Sequence, residues 1–202
     1  MIRSASVVGD VSGLPDHNFG STSLGWWGAA GFMLIEGMGF VLAIGVYFYL
    51  YPYERSWPPS SPPPGLLWGS LFTAVALLSE IPNAWIKKRA RRYDLPAVKF
   101  GLMLMTLVGV VLLGLRAMEF TALNVGWDKN AYGSIVWALI ALHTLHMATD
   151  TFDSGVLAAI FLFKKVDGRK FSDADDNALY WHFIVWSWVV LYLILYWGPR
   201  WL

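Results

Sequence analysis

Apolar residues in this chain gather into five long runs separated by short polar stretches. The runs cover residues 26–50, 66–86, 97–115, 134–163 and 178–198. Each is close to or longer than the roughly 20 mostly apolar residues that a helix needs to cross a bilayer core. Ten-residue strands of alternating polarity, the mark of a membrane barrel, are not found. The pattern predicts an all-α, polytopic integral membrane protein, a bundle of five transmembrane helices. Residues 1–25 would form a segment on the cytoplasmic side, and residues 199–202 a tail on the outer side.

Composition sharpens this picture. Of 202 residues, 56% are hydrophobic and 14% charged, against roughly 45–50% and 25% in soluble domains. Cysteine is absent, which excludes disulfides, iron–sulfur clusters, a thiolate-bridged copper pair and a covalent CxxCH haem. The four histidines, His17, His143, His146 and His182, are too few for a centre built on six or more imidazoles. A net charge of +1 gives no reason to expect nucleic acid as a partner. The first 25 residues carry no short apolar core followed by a small-residue cleavage site, so no secretory signal is expected.

Basic residues set the expected orientation. Lys87, Lys88, Arg89, Arg91 and Arg92 crowd the second connection, and Lys164, Lys165, Arg169 and Lys170 the fourth. Apart from Arg116 at the outer end of the third run, the first and third connections carry only Arg55 and Lys129. Basic connections stay inside, so the N-terminus is expected in the cytoplasm and the C-terminus outside, with a bacterial inner membrane as the setting. Residues 57–64, rich in proline, read as an extended polyproline-type linker. Aromatic residues at the run ends, such as Trp26, Trp27 and Trp181, read as an interfacial belt.

Only five formal charges fall inside the runs: Glu36, Glu80, Lys99, Asp150 and Asp153. Charges in a bilayer are costly and usually turn toward the bundle interior. His143, His146, Asp150 and Asp153 are spaced three, four and three residues apart, which puts them within about 80° of one helix face. Glu36 lies near mid-membrane. Glu80 and His182 lie toward the inner surface, where Pro82 would loosen the end of the second run. Arg116 and Glu119, one turn apart at the outer end of the third run, are expected to pair locally. This set supports hydrogen bonds across helices, or proton handling by an acid and imidazole chain. A metal or haem site is disfavoured, because His143 and His146 point the same way and no Glu-x-x-His pair exists. Glu36 is expected to meet His146 or His143. Lys87, Arg89, Arg91, Arg92 and Trp181 are candidates for contact with lipid headgroups.

Six segments, taken in order, resemble subunit III of the haem-copper cytochrome oxidases. They are Gly31-Phe32-Met33-Leu34-Ile35-Glu36, Trp57-Pro58-Pro59, Arg116-Ala117-Met118-Glu119-Phe120, Ala131-Tyr132-Gly133-Ser134, His143-Thr144-Leu145-His146-Met147, and Tyr180-Trp181-His182-Phe183 with Trp188, Leu191 and Tyr192. The chain resembles the short, five-helix form. It departs from the family pattern at Arg116, Phe120, Thr144 and Val185. The resemblance implies a non-redox subunit beside a haem- and copper-bearing catalytic subunit I and a copper-bearing subunit II. This chain would bind no haem or copper itself. It would hold phospholipid, support proton uptake and protect the catalytic subunit during turnover, while oxygen is reduced with electrons from cytochrome c or a quinol. Two alternatives stand beside this reading: an accessory subunit of a nitric oxide reductase, and an independent proton-coupled transporter.

Overall fold

The computed structural model describes residues 18–59 and 61–201. Most of the expected N-terminal segment, His17 included, lies outside the described residues. Five helices carry the architecture: α1 (Leu24–Leu50), α2 (Leu66–Ala90), α3 (Leu95–Thr121), α4 (Ala131–Phe163) and α5 (Gly168–Tyr192). Each is long and apolar enough to cross a membrane. No strand occurs among the described residues. A spanning backbone must satisfy its own hydrogen bonds, because hydrocarbon offers none. α5 continues through a π turn, Leu193–Trp197, into a short helical turn, Gly198–Trp201.

Local sequence explains where the helices begin. Four of the five have a side-chain cap of a favoured type: Ser23 accepts from the Gly25 N–H, Asp94 from Ala97, Asn130 from Gly133 and Asp167 from Lys170. Lys87, Lys88 and Arg89 lie in the last turn of α2, where cations suit the carbonyl pole. Pro82 does not loosen that end as expected. α2 runs unbroken to Ala90, held by packing against α3 and α5.

α4 and α5 pack together at the centre. α1 lies against both of them, while α2 touches α3 and α5, and α3 touches α4. In α1 only Phe40 and Tyr47 are buried, and Leu34, Ile35, Val41 and Leu42 present an apolar surface outward. Gly109 brings α3 close to α4. A Cβ there would run into the Thr151 side chain, the small-residue contact expected between membrane helices.

The proline-rich connection is not a solvated spacer. Trp57 is 6% exposed and meets Tyr132 and Tyr47 edge-on, with ring centroids 4.8 and 5.1 Å away. Asn130 and Asn124 donate to the carbonyls of Pro59 and Pro63, and Arg200 to that of Pro64. Burial of the tryptophan and these bonds pin the segment across the bundle end. We refer to this as the proline end, and to the opposite one as the basic end. At the basic end, Ser172 donates to the Asn18 carbonyl, and Phe19 and Tyr93 stack edge-on.

Candidate functional site

The intramembrane polar residues form three separate groups. The expected polar wall of α4 is divided, because its arc spans two helix interfaces. His143 is buried and turns toward α3 and α5. His146, Asp150 and Asp153 line a groove between α1, α4 and α5.

In the first group, Glu36 of α1 meets α4 and α5 together. Its Oε1 stands 3.2 Å from His146 Nε2, and its Oε2 accepts from the Tyr180 hydroxyl at 2.6 Å. His146 Nδ1 lies 2.6 Å from the Leu142 carbonyl. A carbonyl only accepts, so Nδ1 carries a proton. Nε2 is thus the nitrogen turned toward the Glu36 carboxylate, at ion-pair distance. The groove beside it has a volume of about 600 Å3. Asp150 is buried there, with Asn177 donating to Oδ1 at 3.2 Å and accepting from Ser154 at 3.1 Å. Asp153 is exposed at the same groove.

The second group is sealed inside the bundle. Arg116 and Glu119 are 1% and 0% exposed, so the pair expected at the outer end of a helix is a core feature. The guanidinium lies between Phe72 and Trp188, 3.8 and 3.9 Å from their ring centres. It donates to Glu119, which also accepts from the Tyr196 hydroxyl. It donates as well to His143 Nδ1 at 3.0 Å, and His143 Nε2 donates to the Ile184 carbonyl at 3.0 Å. Arginine cannot accept and a carbonyl cannot donate, so His143 is the neutral Nε2–H tautomer. His143 therefore does not meet Glu36.

The third group lies on the bundle's outer surface. His182 Nδ1 is 2.8 Å from Glu80 Oε2, and the imidazole is half exposed. The headgroup candidates fare unevenly. Arg89 pairs with Asp94, and Arg91 binds the buried Asp175 through two bonds. Those bonds raise the Arg91 pKa above its ordinary value. Lys87 is half-buried and Arg92 exposed at the same end. Trp181 is not a headgroup contact. It is 2% exposed, and its indole N–H donates to Ser79, because α5 turns this ring toward α2.

Tyr180, Asn177 and Tyr196 complete these groups, and composition and spacing did not single them out. The two tyrosines look like any aromatic near a span end, and Asn177 lies just before the fifth apolar run. Among the described residues, no three His, Asp or Glu side chains are placed to hold a metal ion.

Comparison with known proteins bears on the whole bundle. The family model described as cytochrome c oxidase subunit III matches residues 65–200. Cytochrome c oxidase subunit 3 of Drosophila yakuba is 26% identical, over 96% of this chain and 76% of its own length. The protein of that name from Thermostichus vulcanus is 20% identical, over 82% of this chain and 83% of its own. That from Gallus gallus is 27% identical, over 70% of this chain and 55% of its own. The matched region takes in α2 to α5 and both buried polar groups apart from Glu36, and the chain belongs to the cytochrome c oxidase subunit III family.

Proposed function

We propose that this chain covers a flank of the haem- and copper-bearing catalytic subunit, near a copper-bearing subunit II, holds phospholipid against the complex, and supports proton uptake while oxygen is reduced. The coarser statement rests on the family: the chain is an integral membrane, accessory subunit of a multi-subunit haem-copper oxidase. On the finer reading it carries no electrons, and the redox groups belong to its partners. The observation that supports the proton role is the Glu36–His146 pair, with Tyr180 on the second carboxylate oxygen. It lies beside a groove that Asp150 and Asp153 also line.

The basic connections favour an N-terminus in the cytoplasm of a bacterium and a C-terminus outside. Lys87 and Arg92, at the same end, are then placed to meet phosphates of the inner leaflet, while Arg89 and Arg91 are held by Asp94 and Asp175. Membrane impermeant labelling of single cysteines in the two kinds of connection reads this directly.

The test of the proton role is Glu36→Gln in the assembled oxidase. Proton uptake kinetics should slow by several-fold while haem content and subunit stoichiometry hold. Unchanged uptake in a fully assembled variant would leave Glu36 a structural residue and remove the proton role.

A further inference from the structure

The His182–Glu80 pair stands on the outside of the bundle, yet inside the apolar band. Glu80 precedes Ile86, the end of the second apolar run, and His182 follows Ala178, the start of the fifth. At about 1.5 Å per residue the two lie roughly 9 and 6 Å inside the basic edge of that band. The imidazole side chain is 55% exposed and that of Glu80 21%. Apolar surface surrounds them, because Leu77, Ile81, Trp186 and Val190 are all exposed. Ionisable side chains in membrane helices normally face protein or a water-filled cavity, since hydrocarbon cannot satisfy them.

Two features of this face point to protein as its cover. His182 Nδ1 is held by Glu80 at 2.8 Å, while Nε2 makes no hydrogen bond among the described residues. Hydrogen bonds between helices hold membrane bundles together, so a free ring nitrogen at this depth is a contact in waiting. Trp186, one turn along α5, meets the imidazole edge-on at 6.0 Å and is itself 50% exposed. Tryptophan is enriched among the residues that carry binding energy at protein interfaces.

Charge narrows the partner. A carboxyl group already faces the imidazole, so the pair is complete in charge, and a further charged side chain would leave one group unmatched. A hydroxyl or a side-chain amide can either donate to Nε2 or accept from it.

We propose that the α2–α5 face around His182 docks a transmembrane helix of another subunit of the oxidase. That helix sets a hydroxyl or amide side chain against His182 Nε2 and packs apolar side chains on Trp186. The inference rests on the flank-covering role proposed above and adds which face makes the contact, and by what chemistry.

A photoreactive benzophenone amino acid at position 186 of the detergent-purified oxidase complex tests the face. Ile35 on α1 and Leu107 on α3, both exposed, are the comparison sites. The probe at 186 should cross-link to a partner subunit, on a membrane helix with a serine, threonine, asparagine or glutamine within one turn of the linked residue. Cross-links to a partner from 35 or 107 but not from 186 overturn this face and leave flank covering intact. No partner cross-link from any of the three removes flank covering with it. A cross-link from 186 to a second copy of this chain, or to lipid alone, also overturns the proposal.

The polar contact is tested by His182→Leu combined with Glu80→Leu. Leucine suits hydrocarbon better than the native pair, so on a lipid-facing surface the change would leave assembly intact. At an interface it should lower the amount of this subunit retained by the complex after detergent challenge several-fold, with membrane insertion of the chain unchanged. His182→Gln with Glu80→Gln keeps hydrogen bonding without charge and should recover most of that retention. Unchanged retention in the leucine variant overturns the polar contact. Where the leucine variant does not insert, the cross-link from 186 decides.

Discussion

Arg116 Nη2 stands 3.0 Å from His143 Nδ1, and this contact joins α3 to α4 in the middle of the bundle. It makes the histidine an acceptor from an arginine, so the imidazole acts as a neutral link between a buried guanidinium and the α5 backbone at Ile184. Phe72 and Trp188 cover the two faces of the guanidinium. Four of the five helices thus meet at one buried charge pair.

Removing one member of that pair should cost far more than removing both. A lone buried charge is worth about 3–5 kcal/mol of lost stability, whereas an apolar replacement of both partners is often neutral. Arg116→Met and Glu119→Gln should each lower the thermal midpoint of the complex sharply, and Arg116→Met with Glu119→Leu should recover much of it. Additive losses in this cycle would mean that the two side chains are not coupled.

The two histidines of α4 should differ in tautomer although they are three residues apart. His143 should carry its proton on Nε2, and His146 a proton on Nδ1. Solid-state nitrogen spectra of ring-labelled histidine in the native complex read the two sites, with His143→Gln assigning the signals. A common tautomer at both positions would contradict the geometry.

Trp57 should behave as a core residue despite its place in a connection. Truncating a buried tryptophan costs about 3–5 kcal/mol, so Trp57→Ala should destabilise the subunit and open the 57–64 segment to protease. Substitution at Tyr53, which is exposed, should do neither. A protease-resistant Trp57→Ala variant would return the segment to a simple spacer.

The close approach of α3 and α4 at Gly109 should be reversible by a second change. Gly109→Ala places a Cβ against Thr151, and overpacking of this kind costs about 1–3 kcal/mol. Thr151→Ala removes the opposing atoms and should restore most of the loss when combined with it. The readout is the amount of this subunit retained by the complex after detergent challenge.

Helix number was legible from the chain alone. Bilayer thickness demands long apolar runs, which is a local fact. The likeness of six ordered segments to the oxidase subunit III family was legible as well. Partnership was not. His143 and His146 share a helical arc, yet one meets Arg116 and the other Glu36, because α4 lies between two interfaces whose placement depends on three other helices. Trp181 and Trp57 carried the composition of interface and linker residues, and packing buried both. Periodicity reports which residues share a face. Only the tertiary structure decides what each face meets, because in a bundle of this kind the contacts that bury polar groups join residues far apart in the chain, as Glu36 and Tyr180 are, 144 positions from each other.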